Sequence, residues 1–98
     1  MSPPNDIRRH VSADDLRGDL VDRSSPLFGV VWANPERMGG TPCFFGTRIP
    51  VQTLFDYLVA GDGVQAFRDD FPDVSPDMVA DLLRLAGRSL LAPIERAA

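Results

Sequence analysis

The sequence predicts a mostly α fold of one small domain, with a short β segment ahead of three helices. Three observations carry that prediction. From Pro50 almost to the C-terminus, apolar residues recur at helical spacing. Upstream, residues 34–51 are crowded with backbone punctuation, namely Pro35, Gly39, Gly40, Pro42, Gly46 and Pro50. Glycine allows positive φ, and proline fixes φ while removing a donor, so the chain must turn repeatedly there. Around that punctuation stand two short apolar runs, Phe28-Gly29-Val30-Val31-Trp32 and Cys43-Phe44-Phe45. They are too short for helices and rich in β-branched and aromatic residues, as strands are.

In chain order, residues 1–26 are expected to form a flexible N-terminal segment, residues 27–92 the folded domain and residues 93–98 a tail. Residues 1–9 are polar and proline-bearing, which predicts disorder. A candidate helix spans residues 12–23, with Ser12 as N-cap, Asp15 completing a capping-box pattern and Asp14 at the positive end of the dipole. Leu16, Leu20 and Val21 give it a narrow apolar stripe, and Gly18 interrupts it. About twelve residues make a marginal helix in water, so this one must dock on its own domain, on a second copy or on a partner. Residues 24–26 link it to a strand over residues 27–32. Asn34-Pro35 and Gly39-Gly40 turn the chain into a second strand over residues 43–45. Two strands alone leave unpaired edges, and pairing with a second subunit would cover them.

From Pro50 the body is helical. Residues 52–60 place Val51, Leu54, Phe55, Leu58 and Val59 on one face before Gly61 stops the helix. Asp62 is a plausible N-cap for a short helix over residues 63–70, with Val64 and Phe67 inward. After the turn at residues 71–74, Ser75 caps a third helix, Pro76 fits its first position and Asp77 suits its dipole. Met78, Val79, Leu82, Leu83, Leu85 and Ala86 form its apolar side. Gly87 weakens the pattern, Leu90 and Leu91 can continue it, and Pro93 should end it. Helix, short helix, turn and longer helix make a helix-turn-helix pattern. The expected core is Phe44, Ile49, Val51, Leu54, Phe55, Leu58, Phe67, Phe71, Val79, Leu82 and Leu83.

Composition narrows the function. At 98 residues, the chain can bury one core. A single cysteine rules out an intramolecular disulfide and multi-cysteine metal sites, and a reducing cytoplasm is the expected location. No apolar run approaches the roughly 18 residues of a membrane span. All ten basic residues are arginines, against fourteen acids, for a net charge of −4. A protein whose main task is gripping phosphates should instead carry a basic excess.

Catalysis lacks parts. His10 is the lone histidine and lies in the expected tail, far in sequence from Cys43, which reads as a buried structural thiol. Asp14-Asp15 and Asp69-Asp70 are adjacent helical residues that point apart, so neither pair makes a shared acid–base or metal site. The glycines near Gly39 fit neither the phosphate-loop nor the dinucleotide pattern. No enzyme activity, cofactor or metal is expected.

Several motifs occur together: Asn34-Pro35, Gly39-Gly40-Thr41-Pro42, Phe45-Gly46-Thr47-Arg48-Ile49-Pro50-Val51, a helix ending at Gly61, and Phe71-Pro72-Asp73-Val74-Ser75-Pro76. In this order they resemble the bacterial and archaeal family labelled domain of unknown function 433, over roughly residues 28–86. The resemblance implies a homeodomain-like, three-helix helix-turn-helix with a short N-terminal β segment. It also implies the antitoxin half of a toxin–antitoxin pair, whose partner is a PIN-like ribonuclease.

Two surfaces are open to function. For nucleic acid, the start of the third helix would meet base edges, and there Ser75, Asp77, Ala80 and Asp81 include two acids. Arg84 and Arg88 could reach backbone phosphates, and Thr47 and Arg48 could add contacts from the joint. Against that, Arg84 can pair with Asp81 or Asp77, and Arg48 can brace the turn. For a protein partner, the segment 12–23 offers Leu16, Leu20 and Val21 as anchors. Asp14, Asp15, Asp19 and Asp22 would be its steering charges toward a basic ribonuclease surface. The favoured function is a cytoplasmic, homodimeric antitoxin-like protein that neutralises a PIN-like ribonuclease and could repress its own operon; the resemblance implies operator DNA binding that is weak alone and strengthened by a bound partner. The alternatives are a helix-turn-helix regulator with no toxin, requiring Arg48, Arg84 and Arg88 on one basic face, and a structural dimerisation module.

Overall fold

The computed structural model describes residues 11–97. Within them the order is β1 (Val31–Trp32), β2 (Cys43–Phe44), α1 (Val51–Val59), α2 (Gly63–Asp70) and α3 (Pro76–Ala97). The fold is mostly α with a two-stranded antiparallel sheet, as predicted. The disorder expected of residues 1–9 and the position of His10 lie outside the described residues.

The ribbon pairs Val31 with Phe44 and Trp32 with Cys43. Successive strand residues face opposite sides, so one cross-strand pair enters each of two apolar clusters. The first strand is shorter than predicted. Residues 27–30 form a turn in which the Val30 and Val31 amides both donate to the Leu27 carbonyl, at 3.0 and 2.9 Å. Gly29, at φ 85°, is the residue that permits it. The edges expected to lie open are met from within the chain. The Leu20 amide donates to the Ala33 carbonyl at 2.7 Å, and the Phe44 amide donates to the Ile49 carbonyl at 3.0 Å.

The helical body follows its local signals. At the end of α1 the Gly61 amide reaches the Leu58 carbonyl at 3.1 Å and the Asp62 amide the Tyr57 carbonyl at 3.0 Å, with Gly61 at φ 84°. This is the left-handed exit that glycine provides. α2 has the predicted bounds, but Asp62 precedes it in a helical conformation, and its side chain caps nothing. At α3, the Met78 amide donates to Ser75 Oγ at 3.1 Å, the predicted cap. α3 continues past Gly87 and, against the end expected at Pro93, runs on to Ala97. Leu90, Leu91 and Ile94 on this last stretch are exposed at 72%, 49% and 65%. Proline removes one helical hydrogen bond there, and the carbonyl it leaves belongs to the exposed Ser89, where water can solvate it.

The larger cluster buries Val30, Val31, Phe44, Leu54, Phe67, Val74, Met78, Val79 and Leu82, with Ile49, Val51, Phe55, Leu58, Phe71 and Leu83 packed against it. All eleven expected core residues are among these. Val30, Val31, Val74 and Met78 are additions. Phe67 is central, its ring 5.8 Å from Phe44, 5.6 Å from Tyr57 and 5.2 Å from Phe71. Fully burying a side chain of this size stabilises by about 1.5–3 kcal/mol. The smaller cluster, on the other side of the ribbon, buries Trp32, Cys43 and Phe45 beneath Val11, Leu16 and Phe28.

The predicted helix over residues 12–23 is not formed. A single 3-10 turn, Asp14–Leu16, stands in its place, and Arg17 turns extended at ψ 123°. The capping box itself is present: the Ser12 amide donates to Asp15 Oδ2 at 2.9 Å and the Asp15 amide to Ser12 Oγ at 3.3 Å. What ends the helix is a distant competitor. Asn34 Nδ2 donates to the Arg17 carbonyl at 2.8 Å, and the Leu20 amide is committed to Ala33. Both groups would be bonded within the segment in an α-helix. Gly18, at φ 79°, takes the backbone conformation that joins the two halves.

Candidate functional site

The joint between ribbon and helices is built from Trp32, Arg37 and the Gly46-Thr47-Arg48 turn. Asn34 opens it. Its Oδ1 accepts the Glu36 amide at 2.9 Å while its Nδ2 holds Arg17, so one buried amide side chain fixes two chain segments. The turn brings Arg37 back over Trp32, with the guanidinium carbon 3.5 Å from the ring centroid. Such stacking favours a cation over an aromatic face. Arg37 Nη1 also donates to Asp19 Oδ1 at 3.3 Å, and Nη2 donates to the Asp15 carbonyl at 2.9 Å. The side chains of the pair are only 11% and 4% exposed, and Asp19 Oδ2 is buried with no hydrogen-bond partner among the described residues. The Trp32 indole donates to the Thr47 carbonyl at 2.6 Å. Beside these groups lies an open cavity of about 280 Å³, lined by Val11, Asp15, Trp32, Arg37, Gly46, Thr47 and Arg48.

The residues expected to meet nucleic acid do not converge. Thr47 is buried; its hydroxyl donates to the Phe44 carbonyl at 2.8 Å and accepts the Ile49 amide at 3.1 Å. The hydroxyl is therefore spent on the turn. Arg48 is exposed at the cavity beside Arg37. Arg84 and Arg88 are both exposed and border a different groove along α3, with Leu83, Gly87, Leu91 and Ala92. Arg84 pairs with Asp81 at 3.3 Å. Thr47 and Arg48 thus line one cavity, and Arg84 and Arg88 line another.

The residues expected to meet a partner are divided as well. Asp15 and Leu20 are exposed, Leu20 at 63%. Leu16 packs under the Trp32 cluster, Asp19 is buried against Arg37, and Val21 is half-buried. In this conformation the five share no helical face.

The electrostatics follow from these contacts. Hydrogen bonds from the Ser12 amide and hydroxyl hold the Asp15 carboxyl below the usual carboxylate range, and Ser24 does the same for Asp22. Burial pushes the Cys43 thiol up, against the opposing pull of Arg37 and Arg48. The hydrogen bond from Tyr57 to Asp70 raises the phenol. Among the described residues, no group of three or more His, Cys, Asp or Glu side chains could hold a metal ion. Among them also, no helix is long and apolar enough to cross a membrane.

Sequence reasoning passed over Asn34 as a clasp, Arg37 altogether, and Trp32 as its platform. The Asn34-Pro35 pair announces a turn. Nothing local announces that the turn will place Arg37 on Trp32, because the contact depends on how the hairpin closes.

A model of the family described as "Protein of unknown function (DUF433)" matches residues 31–86. No curated protein matches the chain. No solved structure matches it.

Proposed function

The chain belongs to this family of proteins of unknown function, and on that premise we propose that it is an antitoxin-like binding protein that neutralises a PIN-like ribonuclease in the cytoplasm. The family motifs between Asn34 and Pro76 carry the proposal, because the resemblance they support implies that role. The net charge of −4 supports it physically. A ribonuclease must present a cationic surface to its RNA, and an acidic protein is suited to cover such a surface. In this proposal the chain is not an enzyme, and Asp15, Leu16, Asp19, Leu20 and Val21 meet the partner.

The order α2, turn, α3, with Ser75 capping α3, supports a homeodomain-like helix-turn-helix. Operator binding through it is weak in the free protein, since Asp77 stands exposed at the start of α3 and Arg84 is paired with Asp81. The homodimer that belongs to this proposal does not rest on the ribbon's edges, which Leu20 and Ile49 already occupy.

The test is affinity purification of the tagged protein expressed with its neighbouring genes, followed by mass determination of whatever co-elutes. A stoichiometric small nuclease is the expected result. A protein that elutes alone at every salt concentration, and binds DNA with steep salt dependence, would replace this function with that of a DNA-binding regulator.

A further inference from the structure

We propose that residues 12–23 are a two-state element, clasped shut by Asn34 and Arg37 as described here, and helical when that clasp is released. The segment carries a complete helix start, with both reciprocal capping bonds between Ser12 and Asp15 in place. It stops after one turn where Gly18 takes a positive φ and contacts from elsewhere in the chain claim its backbone. Asn34 takes the Arg17 carbonyl, Ala33 takes the Leu20 amide, and Arg37 takes the Asp15 carbonyl and the Asp19 carboxylate. Local preference and tertiary contacts therefore point to different conformations, which is the condition for two competing packings.

The closed form carries one defect and depends on one glycine. Asp19 Oδ2 is buried and lacks a partner among the described residues, and an unpaired buried polar atom is disfavoured against a hydrated one. Gly18 sits at φ 79°, and a Cβ there would lie 3.4 Å from Asn34 Nδ2. Opening would free Asp19 into water and place Leu16 and Leu20 one turn apart on a helix face. It would also uncover the part of the Trp32, Cys43 and Phe45 cluster that Leu16 overlies, while Phe28 stays in place. An isolated helix of about this length is marginal, which keeps the free chain closed until a second surface covers the released leucines. The segment holds four aspartates and two arginines, a net charge of −2 (4 − 2), so the surface it fits is apolar with a basic rim. That docking step rests on the antitoxin-like function above. The two states themselves do not, and they can be read in the free protein.

Gly18→Ala is the variant that separates the states, because it strains the closed backbone and favours the helix. In a helix interior the exchange alone shifts the balance about fivefold. Trp32 is the sole tryptophan and lies under the segment, so its emission reports opening. The expected result is red-shifted, more readily quenched Trp32 emission, with Leu20 amide exchange accelerated about fivefold or more. Helical carbon shifts should appear across residues 12–23 by NMR, while the Phe45 and Leu82 amides keep their protection. Asn34→Ala, which frees the Arg17 carbonyl without altering the segment, should move the same signals in the same direction. Opening without helical shifts would overturn the proposal, as would wild-type signals in both variants. Loss of the α1–α3 body together with the segment would also overturn it, since the two would then be one cooperative unit.

Discussion

The start of the N-terminal segment and the start of α3 carry the same local signal and meet different fates. Each has a serine whose hydroxyl accepts the amide three residues on, at 3.3 Å for Ser12 and 3.1 Å for Ser75. Acids that suit the first turn of a helix follow, Asp14 and Asp15 after Ser12 and Asp77 after Ser75. After Ser75 the chain makes the longest helix of the fold, Pro76–Ala97, and after Ser12 it makes one turn. The difference lies in what the surrounding fold asks of the next residues. Met78, Val79 and Leu82 are buried at helical spacing against Phe67 and Leu54, so packing rewards the conformation the cap begins. Arg17 and Leu20 are instead bonded to Asn34 and Ala33 across the chain. A cap starts a helix, and tertiary contacts decide whether it continues.

Substitutions on the two sides of this contrast should behave differently. Phe67→Ala empties the centre of the body and should cost about 3–5 kcal/mol, read as a large fall in the urea midpoint or as failure to fold. Arg37→Ala removes the partner of a buried carboxylate, which in a rigid core costs about 3–5 kcal/mol. Here the segment can open and hydrate Asp19, so global unfolding should shift by only about 1–2 kcal/mol. A full core-sized loss in the same urea titration would place the segment within the cooperative body.

The serine caps sharpen the contrast further. Ser75→Ala should lower global stability by about 1 kcal/mol. Ser12→Ala should leave the midpoint within about 0.5 kcal/mol of wild type, since the turn it starts is a minor part of the fold. Thermal melts of both variants would measure this. The smallest effect is in pH. The Asp15 carboxyl is held below its usual value of 3.8 by Ser12. Its contribution is therefore present above that value and lost as pH falls through the lowered one. A carboxyl NMR titration should place the Asp15 midpoint below 3.8, with the Ser12 amide losing protection over the same range.

Much of the body was legible in the sequence because its determinants are neighbours. Gly61, Ser75 and the spacing of Leu54, Phe67, Val79 and Leu82 each act within a turn or two of their own position. The ribbon was legible as two apolar runs about a turn-rich stretch, although Gly29 shortened the first. The segment over residues 12–23 was misread because Asn34, seventeen residues from Arg17, competes for its backbone. α3 runs past its expected end because Pro93 interrupts the pattern without breaking the helix. Of the site residues, Arg48, Arg84 and Arg88 were recognisable as exposed cations, but only the fold places Arg48 in one concavity and the other two along another. The cluster of Trp32, Arg37 and Asp19 joins the hairpin to a residue eighteen positions before Arg37, and no local pattern announces it.

Native-state hydrogen exchange across a urea series tests the central contrast most directly. The Leu20, Phe45 and Leu82 amides report the segment, the ribbon and α3. The two-part account predicts that Leu20 exchanges through an opening of lower free energy and weak urea dependence, while Phe45 and Leu82 exchange by the global transition. If Leu20 instead follows the same urea dependence as Leu82, segment and body unfold together, and the competition between cap and clasp has no separate existence.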